Sequence, residues 1–203
     1  MYSTEVEIAN VAARIVVEEG LEYGPAKRRA IKQLGISGRI ALPSNDVLEE
    51  AVREYIETFC ADTQPAALHA LRALACVWME RMAAFNPHLG GAVWRGTATE
   101  LSDIYLQLFC DDPKSAELLL IDKQVRYDVS TVQGFHGDVV DALSVLCPCP
   151  GLEQHGAVQQ VLVHLMIYDR DDLRGALKPD SQGRPQRGNL QAVKQLMEKD
   201  ACS

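Results

Sequence analysis

Two glycines followed by an acid at the head of an alternating segment form the most informative pattern in this sequence. Gly90 and Gly91 follow the apolar Leu89, and Asp103 comes after a gap of eleven residues. Glycine lets backbone N–H groups approach an anion closely. A carboxylate is an oxygen ligand suited to a hard cation such as Mg²⁺. These residue types therefore indicate phosphate and metal chemistry in this part of the chain.

This pattern resembles the nucleotidyltransferase signature of the polymerase-β superfamily. That signature has an apolar residue, then Gly-Gly or Gly-Ser, and after a short interval an acid–apolar–acid strand. Bacterial proteins with such a domain also carry segments similar to several in this chain, which are EEG at 18–20, AKRRA at 26–30, LG at 34–35, LPSN at 42–45 and DSQGRP at 180–185. The resemblance therefore spans most of the chain.

The resemblance implies a role for each matching residue. Asp103 is the expected catalytic acid and metal ligand. The glycine motif has two possible registers, either Gly90 with Gly91 or Gly91 with Ala92, and both stay open. The residues expected to contact the nucleotide are Gly90, Gly91, Ala92, Arg95, Ser102 and Arg184. Arg95 and Arg184 can equally be ordinary surface arginines.

The sequence departs from the family pattern at the metal acids. Tyr105 stands where the family has its second acid, and His164 stands at the expected position of the third. Asp128 is another candidate for that third ligand, so the predicted metal set is Asp103, Asp128 and His164. Asp103 alone will not hold Mg²⁺ tightly, whereas Asp103 with His164 favours a softer ion such as Mn²⁺ or Zn²⁺.

Two functions follow from the resemblance and its departures. The first is a divergent nucleotidyltransferase that uses Mg²⁺ or Mn²⁺ to transfer a nucleotidyl group from an NTP to an unknown acceptor. The second is a catalytically inactive module of the same fold that binds a nucleotide or a partner for regulation and needs no cofactor.

Hydropathy periodicity predicts which elements position these residues. In the first half of the chain, helices are expected from Ile8 to Gly20, over 25–34, after a cap at 44–46, and from 63–65 to Pro87. The third of these helices is expected to bury a stripe that includes Leu48, Val52 and Phe59. Strands are expected over 102–109, 125–129 and 158–168, with helices over 113–122 and 189–197. Residues 130–156 give no clear periodicity and stay unassigned.

These elements predict an α+β fold. The expected domains are a helical N-terminal region over 1–85 and, over 86–203, a small mixed-sheet domain that resembles the nucleotidyltransferase fold and ends in a turn and a short helix. The helical region is expected to pack on the sheet domain.

Composition narrows the function classes. The 203 residues include 47% hydrophobic and 24% charged residues, an ordinary globular mixture. A net charge of −8 disfavours nonspecific nucleic-acid binding. The basic run of Lys27, Arg28, Arg29 and Lys32 fits the solvated face of a helix better than a nucleic-acid patch.

Without a visible signal peptide or membrane span, a cytoplasmic location and reduced cysteines are expected. The pair Cys147 and Cys149 is a weak zinc signal.

Overall fold

The computed structural model describes residues 4–38, 40–134, 137, 139–180 and 182–200. The fold is α+β, with helices in the N-terminal part and a five-stranded mixed sheet further on, which confirms the predicted fold class. The chain divides into two compact units. The first comprises Met1–Pro65 and Thr97–Ser102, and the second comprises Ala66–Gly96 and Asp103–Ser203.

Among the described residues, three helices lie wholly within the first unit. They are α1 (Thr4–Glu19), α2 (Tyr23–Gln33) and α3 (Asn45–Phe59). Their buried faces meet in one apolar cluster that includes the fully buried Ile8, Ala12, Leu48 and Val52, as the 3.6-residue periodicity predicts. Phe59 is the exception among the predicted core residues. It lies in the last turn of α3 with 68% of its surface exposed and packs against Tyr55 rather than in the core.

The ends of these helices follow from their capping residues. Ser44 is the N-cap of α3, and its hydroxyl accepts a hydrogen bond from the N–H of Val47 at 3.2 Å. Gly20 follows α1 with a φ of +69°, where its missing side chain admits the carbonyl of Leu101. Both sites agree with the predicted helix boundaries.

The basic run on α2 is partly engaged within the first unit. Lys27 is buried, and its ammonium group donates a hydrogen bond to the side chain of Asn45 at 2.7 Å. Arg29 pairs with Glu19. These contacts use two of the four cations for packing within the helical unit.

The sheet belongs to the second unit. Its strands are β1 (His88–Gly90), β2 (Ile104–Cys110), β3 (Asp128–Gln133), β4 (Val139–Gln154) and β5 (Ala157–Asp169), and its helices are α4 (Gln64–Arg81, in this unit from Ala66), α5 (Gly91–Arg95), α6 (Lys114–Asp122), α7 (Leu173–Ala176) and α8 (Leu190–Asp200). The strand order is β1-β2-β5-β4-β3. Strands β2 and β5 are parallel, and the other pairs are antiparallel.

Strand β4 lies in the segment that periodicity left unassigned. It occupies most of the segment 130–156, and its buried residues alternate at Leu143, Val145 and Cys147. The glycine and prolines at 148–151 accompany a register shift against β5 between Pro148 and Glu153. Strand β3 begins at Asp128, three residues later than the start of the predicted strand.

Helix α4 packs on the sheet and, from Ala66 onward, belongs to the same compact unit as the strands. A Cβ on Gly151 of β4 would lie 3.2 Å from the side chain of Ala70. The Trp78 indole lies beside the thiol of Cys147 on the same strand. Trp78 and Met82 of this helix are buried.

The C-terminal segment adds a short bridge to the edge of the sheet. Leu89 and Gly188 exchange backbone hydrogen bonds of 2.9 and 3.0 Å. The indole N–H of Trp94 donates to the carbonyl of Pro185 at 2.8 Å. Asn189 then caps α8 through the N–H of Ala192, as predicted. These contacts hold the segment against β1 and α5.

Candidate functional site

One lateral row of residues crosses all five strands. Its members are direct partners on neighbouring strands, in the order Gly90, Tyr105, His164, Ser144 and Asp128. Residues directly opposite one another in a sheet project to the same face. The row therefore gathers the predicted glycine turn, the position of the missing acid and a histidine on one face of the sheet.

The predicted residues Asp103 and His164 lie together on this face. The Nε2 atom of His164 is 3.4 Å from the Oδ2 atom of Asp103, a long contact for a hydrogen bond. The Asp103 side chain is 38% exposed and that of His164 is 18% exposed. Asp103 lies just before β2, so it shares a face with Tyr105 two residues later.

Ser144 occupies the other edge of the imidazole. Its Oγ lies 2.8 Å from the Nδ1 atom of His164. A carboxylate oxygen only accepts hydrogen bonds, so the tautomer of His164 that can bond to Asp103 carries its ring proton on Nε2. The Nδ1 lone pair then faces Ser144, whose hydroxyl is the donor. The three side chains form a line of Ser144, His164 and Asp103.

Tyr105 packs on this line from the side of the glycine turn. Its ring stacks on the imidazole of His164 with centroids 4.8 Å apart and planes 23° apart. A Cβ built on Gly91 would lie 3.6 Å from the Cδ2 atom of Tyr105. The phenol ring thus fills the space between the glycine turn and His164, where the resemblance implies paired carboxylates.

The three predicted metal ligands do not come together. Asp128 is exposed on β3, and two strand spacings, about 9–10 Å, separate its backbone from that of His164. A single ion reaches oxygen ligands at only about 2.0–2.6 Å. Within the part of the chain that the structure describes, no group of three or more His, Cys, Asp or Glu side chains could hold a metal ion. One carboxylate and one imidazole do not fit a two-magnesium site.

The glycine turn leads directly into α5. Gly90 is extended and precedes the helix, and Gly91 is its first residue with a φ of +68°. Ala92 follows in the first turn, whereas Arg95 is the last residue at the opposite end. The positive φ at Gly91 is one that residues with side chains rarely adopt. Of the predicted contact residues, the two glycines are adjacent to Tyr105.

Ser102 and Arg184 have local partners. The hydroxyl of Ser102, in the first unit, accepts a hydrogen bond from the N–H of Thr99 at 2.9 Å. The Arg184 guanidinium donates to the carboxylate of Asp180 at 2.9 Å, and the bonds from Arg184 hold the pKa of that carboxyl below its usual value. Ser181 of the same motif lies outside the described residues. These contacts give both residues structural roles.

Arg72 was not anticipated by any sequence pattern. It is buried on α4 and donates hydrogen bonds to the carbonyls of Val93 and Trp94 at 3.0 and 3.2 Å. It also pairs with Asp200 of α8. Arg72 thereby satisfies the last carbonyl groups of α5 and lies beside Gly96, which ends that helix. Only the tertiary contacts reveal this role.

Cys147 and Cys149 point into the packed face of the sheet. Both are buried, and burial raises the pKa of each thiol. Zinc binds the thiolate form, so this environment disfavours the zinc site that their spacing weakly suggested.

Comparisons with protein families, with curated proteins and with solved structures find no match for this chain. Among the residues that the structure describes, none of the helices has the length and apolar character needed to cross a membrane.

Proposed function

We propose that this chain is a nucleotidyltransferase-like module that has lost two-metal transfer and binds a nucleotide. The observation that carries this proposal is the stack of Tyr105 on His164. These two residues take the positions at which the resemblance implies the second and third metal acids. Asp103 and the glycine turn are retained beside them.

The loss of transfer follows from the chemistry of the side chains. Two-metal transfer needs several oxygen ligands around ions that bridge the phosphates and activate the attacking hydroxyl. A phenol and an imidazole replace two of those carboxylates, and Tyr105 occupies the space beside Gly91. The site is therefore short of both ligands and room for two hydrated ions.

Retained nucleotide binding is supported by the features that remain. The backbone of Gly91 keeps the positive φ of a tight turn next to the ring of Tyr105. Neither Gly90 nor Gly91 has a side chain, so the backbone N–H groups of this turn can approach a phosphate closely.

Calorimetry with ATP, GTP, CTP and UTP tests this proposal, each with EDTA, Mg²⁺ or Mn²⁺. We expect at least one nucleotide to bind with the same affinity whether or not a divalent ion is present. Tyr105→Ala should weaken that binding, because it removes the ring beside the glycine turn. Tyr127→Ala is the matched control, since Tyr127 contacts Glu117 on α6 instead.

Two results would overturn the proposal. Binding that requires Mg²⁺ or Mn²⁺ and disappears in Asp103→Asn would indicate a working transferase. Absence of binding by all four nucleotides would indicate a module that recognises another partner.

A further inference from the structure

We propose that Ser144 is a nucleophilic serine that His164 activates and that accepts an acyl or phosphonyl group from a neutral ester. This activity is separate from nucleotide binding and does not depend on it. It rests on the line of Ser144, His164 and Asp103, which crosses three strands of one sheet.

The hydrogen-bond directions prepare Ser144 for attack. Asp103 faces Nε2 of His164, which leaves the lone pair of Nδ1 directed at the serine hydroxyl at 2.8 Å. A serine hydroxyl is a weak nucleophile until an adjacent base takes its proton. His164 is that base, and Asp103 is the positioning residue that selects the tautomer and stabilises the imidazolium.

Packing holds the imidazole in this orientation. Tyr105 covers one side of the His164 ring at 4.8 Å, and only 18% of the His164 side chain is exposed. Ser144 itself is partly exposed. A base fixed by stacking and a nucleophile that a small molecule can reach are what group transfer to the serine requires.

The charges around the line select the substrate class. Asp103 lies on one side of His164, and Asp128 is the direct partner of Ser144 on β3. The carboxylate of Asp128 repels a phosphate or carboxylate group at Ser144, whereas the glycine turn, where the nucleotide is proposed to bind, lies three strand spacings away on β1. The structure therefore favours a neutral carboxylic or organophosphorus ester over an anionic one.

Transfer of the acyl or phosphonyl group to Ser144 needs no metal or cofactor. The Oγ atom of Ser144 forms a bond to the electrophilic carbon or phosphorus as its proton moves to Nδ1 of His164. The leaving group departs with its bonding electrons, as an alcohol after it takes that proton, or as fluoride from a phosphonofluoridate. The product is an ester of Ser144.

An uncharged alkyl fluorophosphonate is the probe for this proposal, because it modifies activated serines. The full chain is incubated with the probe, and the modified residue is found by peptide mass spectrometry. We expect one adduct, on Ser144, that is absent in Ser144→Ala. Since general-base catalysis contributes about 10²–10⁴-fold, His164→Asn should slow labelling by at least about 100-fold.

Matched variants distinguish activation of Ser144 by His164 from simple exposure of the serine hydroxyl. Ser130 lies on β3 two residues from Asp128, on the same face, and is exposed. Ser130→Ala should therefore label Ser144 at the wild-type rate. Asp103→Asn should slow labelling and Asp103→Glu should restore part of it, whereas a purely structural role would instead appear as a lower melting temperature.

Labelling of Ser144 that survives in His164→Asn, or no adduct on Ser144 in a protein with a cooperative thermal transition, would overturn this proposal. Neither result bears on nucleotide binding, which calorimetry on the unlabelled protein measures separately. The two proposals can therefore fail independently.

Discussion

Tyr105 stacks on His164 with the two ring planes 23° apart, and the pair fills the centre of the row that crosses the sheet. The two residues belong to neighbouring parallel strands and are direct partners in the register. An aromatic pair of this kind contributes about 0.5–1.5 kcal/mol beyond its buried area. The stack is therefore a local stabilising contact between β2 and β5.

Tyr105→Asp should create measurable Mn²⁺ binding. The new carboxylate would stand two residues from Asp103 on one face of β2, next to His164. Titration calorimetry with Mn²⁺ measures the gain against the wild-type protein. Tyr105→Asn is the control, because it removes the same ring without adding charge, and equal Mn²⁺ affinity in both variants would contradict the prediction.

Gly188→Ala should destabilise the protein by about 1–3 kcal/mol through overpacking. A Cβ at this position would overlap the six-membered ring of the Trp94 indole, which is itself tied to Pro185. Chemical denaturation measures the change. Gly24→Ala is the control, since a Cβ there would meet only the mobile end of Arg28 at 3.6 Å and a helical alanine is favoured over glycine. Equal unfolding free energies for the two variants would show that Trp94 moves aside without cost.

Arg72→Met should lower the free energy of unfolding by about 2–3 kcal/mol, because buried hydrogen bonds from a charged donor are lost. The carbonyls of Val93 and Trp94 would lose their guanidinium partner. Urea denaturation measures the loss. Lys194→Met is the matched control in the same unit, because its ion pair with Glu80 is more than half exposed and should contribute less than about 1 kcal/mol. A loss no greater than in the control would mean that water replaces the guanidinium at α5.

Tyr55 should titrate at unusually high pH. Its hydroxyl donates a hydrogen bond of 2.5 Å to Glu18, which with partial burial raises the pKa of Tyr55 to about 12. A raised pKa in the folded state means that this stabilisation is complete below the unfolded value of 10.0 and is lost as the pH rises toward 12. NMR of ¹³C-labelled tyrosine measures the titration.

Glu18→Gln tests the cause of that shift. It removes the carboxylate that accepts the bond, so the pKa of Tyr55 should fall toward its ordinary value. Tyr55→Phe identifies the resonance and should reduce the loss of stability between pH 10 and 12. An unchanged pKa in Glu18→Gln would assign the shift to burial alone.

Local patterns predicted much of the fold because the forces involved act between residues close in the chain. Neighbouring residue types predicted a cap within 44–46, which the structure places at Ser44, the alternating strand after Asp103 and the cap at Asn189. Strand β4 was not predicted, since its prolines and glycine weaken the periodic signal while pairing with β3 and β5 fixes its path. Phe59 was wrongly predicted to be buried, because helical periodicity does not show where a neighbouring helix ends.

The sequence by itself determined the α+β class, the capped starts of α3 and α8, and the residue types that stand at Gly90, Gly91, Asp103 and Tyr105, because these depend on composition and short-range spacing. The tertiary structure decided which of them meet. Strand order and register placed Ser144 beside His164 and left Asp128 two strands away. Pairing between strands distant in the chain depends on the packing of the whole sheet, so the line of Ser144, His164 and Asp103 became visible only in three dimensions.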